Sequence, residues 1–171
     1  MKIYFTGSLH NKDIAKSLYG KMVDDLRVMG YTVRADHILN STVEILEQQT
    51  EKQRLEYYKQ LNRWITECDI VICEVSYPST LNIGHEVSIA LDKGKPVIAL
   101  YQEGREPGIL QGITSENFIL LEYTPDRIAE TLEFGIDEAT DKMDVRFNFF
   151  ISPKIVNFLD WISKEKKMPR A

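Results

Sequence analysis

Apolar positions along the chain alternate between short dense runs and longer runs spaced three and four apart. Lys2 to Phe5 reads as a buried strand that ends at Gly7-Ser8. From Asp13 to Met29, apolar residues return at Ile14, Leu18, Met22, Leu26 and Met29, the spacing of one helix face. Gly30 follows where a helix stop favours glycine. Tyr31 to Val33 predicts a short second strand. Thr42 to Thr66 predicts one long polar helix with a thin stripe of Val43, Ile45, Leu46, Leu55, Tyr58, Leu61 and Ile65. Asp69 to Val75 is nearly continuous in apolar residues, as in a strand buried on both faces. Gly84 to Leu91 predicts a helix stopped by Gly94. Lys95 to Tyr101 and Phe118 to Glu122 predict the fourth and fifth strands, and Pro125 to Ala139 the next helix.

Strand followed by helix five times predicts a five-stranded parallel sheet covered on both sides, with right-handed crossovers. Ligands of such sheets bind beyond the carboxyl ends of the strands, where strand order reverses. That rule selects the segments after the first and third strands, residues 7–11 and 76–86. The last part of the chain differs in character. Residues 138–144 are charged and predict a boundary, dividing the chain into 1–139 and 140–171. Val145, Phe147, Phe149 and Ile151 then alternate, and Ser152-Pro153 opens an amphipathic helix carrying Ile155, Phe158, Leu159 and Ile162.

Composition narrows the classes. The chain has 171 residues, 43% hydrophobic and 27% charged, with a net charge of -5, so a generally basic surface for coating nucleic acid is excluded. No apolar run reaches the roughly 18–20 residues of a membrane span, and residues 1–5 are too short an apolar start for a signal peptide. Cys68 and Cys73 cannot form a disulfide framework or a four-cysteine zinc site; reduced core thiols in a cytoplasmic protein are expected. Neither a Gly-x-Gly-x-x-Gly turn nor a Gly-Lys-Ser/Thr phosphate loop is present, so no nucleotide cofactor is expected. The three histidines lie far apart in sequence, with His37 distant in the second loop, and no metal site is expected.

The segment Ser76-Tyr77-Pro78-Ser79-Thr80-Leu81-Asn82-Ile83-Gly84-His85-Glu86 crowds hydroxyls at a turn before a helix. A helix starting near Gly84 would aim free N–H groups at an anion, with Ser79 and Thr80 as further donors and Glu86 in its first turn. Two readings of Glu86 stand side by side: a working carboxylate, or an acid that merely complements the helix dipole. Gly7-Ser8 is either a tight turn or a place where backbone approaches a ligand.

Residues 3–8 (IYFTGS), 69–75 (DIVICEV) and the Pro78-Ser79 to Gly84-His85-Glu86 segment together resemble the nucleoside 2-deoxyribosyltransferase superfamily, most closely its 2′-deoxynucleoside 5′-phosphate N-hydrolases. The likeness spans roughly residues 2 to 122. It implies a flavodoxin-like three-layer α/β domain, carrying here a C-terminal strand-helix appendage. It implies a nucleotide substrate, no cofactor, a homodimer, and cleavage of the bond between base and sugar. Glu86 matches the family's nucleophile and Tyr4 the tyrosine beside it. Gly7 and Ser8 match the turn that closes on substrate, and Ser79 or Thr80 the serine that holds the 5′-phosphate. Gly84 belongs to the same motif.

His85 stands where the family often has tyrosine and His10 where an arginine occurs, so both are candidate base or phosphate contacts. Glu74, near the end of its strand, is a candidate pocket residue. One departure is plain: the family's acid/base aspartate falls on Leu61, with Asn62 adjacent and Glu56 a turn or more away. Three readings therefore compete: an N-glycosidase acting on (deoxy)nucleoside monophosphates, a non-catalytic nucleotide sensor, and an NAD-cleaving domain of the Toll/interleukin-receptor type. The tail resembles the opening of a ribbon-helix-helix unit, whose outward face would offer Arg146 and Asn148 to DNA. Its second helix is missing, so the tail is expected to be either a truncated unit of this kind or, the favoured reading, a dimerisation or packing element, with nucleic-acid contact possible only there.

Overall fold

The computed structural model describes residues 1–10, 12–77 and 82–144; the C-terminal appendage expected over 140–171 lies almost wholly outside them. Five parallel strands, β1 (Lys2–Gly7), β2 (Thr32–Arg34), β3 (Ile70–Glu74), β4 (Val97–Gln102) and β5 (Phe118–Tyr123), form one sheet in the order β2-β1-β3-β4-β5. This is the flavodoxin-like order, with strand order reversing between β1 and β3. Register is fixed there by Tyr4 opposite Val71 and Gly7 opposite Glu74. All five residues of β3 are buried, as its unbroken apolar run predicts for a strand covered on both faces.

Strand residues alternate between the two covering layers. Ile3, Phe5, Ile70, Ile72, Ile98 and Leu100 pack against α1 (Lys12–Val28) and α6 (Ile128–Asp144), through Tyr19, Met22, Leu26, Leu132 and Ile136. Tyr4, Val71, Cys73, Val97 and Ala99 pack against α4 (Glu51–Glu67) and α5 (Asn82–Asp92), through Leu61, Ile65, Ile83, Val87 and Ala90. Both cysteines are free and buried. Among the described residues no helix is long and apolar enough to cross a membrane.

The structure differs from the sequence pattern in three places. The single helix expected from Thr42 to Thr66 is two: α3 (Val43–Glu47) and α4, preceded by a short α2 (Asp36–Leu39). Thr50 is the reason for the break. It sits in extended backbone and makes a full capping box with Gln53, so α4 must start afresh there. Helix α5 begins at Asn82 rather than near Gly84, which moves Glu86 out of its first turn. Helix α6 starts later than expected and continues to Asp144, through the charged residues 138–144.

Two helical glycines differ in what surrounds them. A Cβ at Gly135 of α6 would stand 2.9 Å from Leu121 and 3.1 Å from Ile98, because the helix lies close on the sheet. Gly20 of α1 has open space. Urea denaturation should therefore show Gly135→Val destabilised by about 1–3 kcal/mol through overpacking. Gly20→Ala should gain about 0.5–1 kcal/mol from helix propensity.

Candidate functional site

Two adjoining cavities of about 280 Å³ each open at the carboxyl ends of β1 and β3, on the α4–α5 side, and share Leu46, Arg54, Tyr57 and Glu86. The first is walled by the β1 turn, Thr6 to His10, and by Ile38, Val43 and Glu47. The second extends over Tyr58, Leu61 and His85. The position follows from topology, since β1 and β3 send their chains to opposite sides of the sheet and leave a crevice between.

Glu86 is the centre of the pair. It is 5% exposed, and its Oε2 accepts a hydrogen bond of 3.1 Å from the Tyr4 hydroxyl, which is wholly buried. Burial pushes the Glu86 carboxyl up to about 7, while the hydroxyls of Thr6 and Tyr4 pull it the other way. Tyr4 is held far above its ordinary range, first by burial and then by the neighbouring carboxylate, so it remains a donor. A side chain that only complemented the helix dipole would face water; this one is buried against a tyrosine.

Tyr4 is itself clamped by rings. His37 of α2 stacks on it at 4.8 Å and 7°, Trp64 lies at 6.4 Å, and the Arg34 guanidinium stands over Trp64 at 5.8 Å. His37, distant in sequence, is thus brought against the site. Burial lowers it to about 4, which makes it a neutral ring near pH 7.

The other expected residues divide. Gly7 and Ser8 are buried and line the first cavity, as does the exposed His10, whose N–H donates to Ser8 Oγ at 3.3 Å. His85 is exposed, lines the second cavity and stacks on Tyr58 at 5.8 Å. Gly84 is exposed on α5 with open space for a Cβ and is not part of either wall, so no close approach requires a glycine there. Ser79 and Thr80 lie outside the described residues.

Glu74 requires a correction as a pocket residue. It is wholly buried and faces the α1–α6 side, because the alternation of β3 gives the site's layer to Cys73 instead. The Tyr19 hydroxyl lies 3.3 Å from one of its oxygens, Tyr123 donates to the other, and Ser76 bonds to it through both N–H and hydroxyl.

Several wall residues escaped the pattern. Val43, Leu46 and Glu47 reach the cavity only because the chain breaks at residues 48–50 and α3 turns over the site. The capping box Thr50–Gln53 was the legible signal for that break. Arg54, in the first turns of α4, is fixed by donating to the Glu47 carbonyl at 3.2 Å. Tyr57 faces Glu86, and burial together with that carboxylate raises it to about 12. Leu61 is buried in the core and borders the second cavity as a hydrocarbon wall.

A carboxyl raised from 4.5 to about 7 on folding makes the folded state bind a proton the unfolded state has released. Its cost is absent below about pH 4.5 and complete above about pH 7, so stability from this group falls as pH rises. Glu86→Gln should therefore raise the unfolding free energy at pH 8 by about 1–3 kcal/mol. At pH 4.5 the gain should vanish; equal effects at both pH values would contradict the burial of a titrating carboxyl.

Comparison with known proteins matches this architecture. No protein-family model matches the chain. A protein of Thermofilum pendens, named a candidate 2′-deoxynucleoside 5′-phosphate N-hydrolase 1, is 31% identical over 147 residues, covering 84% of this chain and 93% of the relative. The 5-hydroxymethyl-dUMP N-hydrolase of Tetraodon nigroviridis is 30% identical over 141 residues, covering 78% and 95%. Among solved structures, the Clostridium botulinum CMP N-glycosidase BcmB superposes with a TM-score of 0.59 at 18% identity, covering 78% of this chain and 98% of that one. BlsM superposes with 0.66 at 15%, covering 89% and 97%. These two structures share the fold. The two sequence relatives, matched over nearly their whole length, place this chain in the 2′-deoxynucleoside 5′-phosphate N-hydrolase family.

Proposed function

We propose that this protein hydrolyses the N-glycosidic bond of a (deoxy)nucleoside 5′-monophosphate, with Glu86 as nucleophile. The observation that carries the reading is a buried carboxyl, held by a buried tyrosine hydroxyl, on the shared wall of two cavities at the switch point. Tyr4 holds Oε2, and the carboxylate attacks C1′. The C1′–N bond breaks as its electron pair goes to the base, and positive charge on the sugar is met by the carboxylate. Water then attacks C1′ of the glycosyl ester. The products are free base and the sugar 5-phosphate, and Glu86 is regenerated. Names of the sequence relatives support the substrate class. Gly7, Ser8 and His10 on the wall, with Ser79 and Thr80 of the neighbouring loop, are the proposed contacts to sugar and phosphate, and His85 to the base. The homodimer, the cytoplasmic location and the division of the chain near residue 140 belong to the same proposal.

Leu61 leaves the departing base without the family's proton donor. Among the described residues lining the cavities, the other carboxyl is Glu47, and we assign it the leaving-group proton. The proton goes to the base nitrogen as the bond breaks, and the water of the second step returns one to Glu47.

Chromatography of a panel of ribo- and deoxyribonucleoside monophosphates should show free base, and Glu86→Gln should abolish its release. Because the nucleophile must be ionised, the acid limb of the kcat/KM profile should have its midpoint near pH 7. Nicotinamide release from NAD would point instead to the Toll/interleukin-receptor type of chemistry. Binding of a monophosphate with no release of base from any substrate would favour the sensor.

Glu47→Gln should lower kcat about 10²- to 10⁴-fold for purine or pyrimidine substrates. A pyridinium nucleotide such as nicotinamide mononucleotide leaves as a neutral base and needs no proton, so its hydrolysis should fall far less. Equal losses on both substrate types, or no loss on either, would remove Glu47 from the reaction.

A further inference from the structure

Glu74 is a wholly buried carboxyl for which the proposed reaction has no use. It sits beneath the sheet's carboxyl end, and its partners come from three segments around the site. Tyr19 of α1 approaches Oε2 at 3.3 Å, and the same hydroxyl lies 3.2 Å from the carbonyl of Ser8. Tyr123 of β5 donates to Oε1 at 2.9 Å. Ser76, the first residue of the loop leading to Glu86, donates from its N–H and hydroxyl to the same oxygen. Ser76 Oγ in turn accepts the N–H of Gln102 at the end of β4 at 2.7 Å. The Tyr19 ring also underlies the β1 turn: a Cβ on Gly7 would stand 2.6 Å from it.

We propose that Glu74 and Tyr19 are positioning residues, a buried hub that holds the β1 turn and the start of the loop after β3 at the spacing the substrate requires. The hydrogen-bond count supports a directional chain. Tyrosine has one hydroxyl proton, so Tyr19 can serve either the Ser8 carbonyl or Glu74, not both. When the group at position 74 donates to the Tyr19 oxygen, the Tyr19 proton is left for Ser8. Burial favours the protonated carboxyl that does this. Neither residue lines either of the two cavities, so their effect reaches substrate through the turns.

The inference rests on the proposed function for its kinetic readout, and a second readout needs no substrate. Tyr19→Phe keeps the ring that fills the space under Gly7 and removes the hydroxyl. Tyr123→Phe, which takes an equivalent hydroxyl from the same carboxyl but bonds no residue of the β1 turn, is the control for residues 7–10. Amide hydrogen exchange should quicken at residues 7–10 in Tyr19→Phe and stay as in the wild type in Tyr123→Phe. On a monophosphate substrate, KM should rise about tenfold in Tyr19→Phe with kcat within about threefold, and KM should be unchanged in Tyr123→Phe. Glu74→Gln, whose amide can donate to Tyr19 while its carbonyl accepts from Ser76 and Tyr123, should resemble the wild type. Identical turn exchange in the two tyrosine variants would overturn the hub, as would a turn loosened by Glu74→Gln as much as by Tyr19→Phe. Absence of base release by the wild type would instead defeat the enzymatic reading, leaving the exchange comparison to judge the positioning.

Discussion

A parallel sheet buried on both faces leaves polar chemistry few places to stand, and the carboxyl edge between β1 and β3 is where this protein puts it. Within the sheet every side chain must satisfy one of two apolar layers. At the edge, strand alternation sends neighbouring residues to opposite layers, so two acids close in the fold have different work. Glu86, delivered by α5, lies on the α4–α5 side against Tyr4. Glu74, ending β3, lies on the α1–α6 side among Tyr19, Tyr123 and Ser76. One borders open cavities; the other is closed off by hydroxyls.

Burial of Glu86 also explains its chemistry. Losing water raises a carboxyl, and hydrogen bonds from hydroxyls oppose the rise. The balance puts this group near neutrality, the range in which the proposed nucleophile would be both ionised and poorly solvated. The donor that opposes the rise cannot drift, since Tyr4 is packed between the strand and the stack of His37 and Trp64. The aromatic column is a rigid backing for one hydrogen bond.

Helix α3 brings Val43, Leu46 and Glu47 to the wall of the first cavity. That placement depends on a local event, the capping box at Thr50, which stops one helix and starts another. Arg54 then ties the new helix to the end of the old one.

Local pattern alone was enough for the five strands, their parallel arrangement and the crevice after β1 and β3, because period-2 and period-3.6 apolar spacing and glycine stops are short-range properties. The family likeness rested on the same short runs, and it pointed to Glu86 and Tyr4 together. What lay beyond reach were contacts between residues far apart in the chain. His37 stacks on Tyr4 and Tyr57 faces Glu86, but neither carries a sequence signal, since only the packing of α2 and α4 over β1 brings them there. Glu74 shows the converse. Its place at the end of a strand beside the site suggested a wall residue, yet which side of the sheet a strand residue faces depends on register and on which helices cover each face. Those are decided by the assembled tertiary structure, where burial and hydrogen bonding are satisfied for all elements at once.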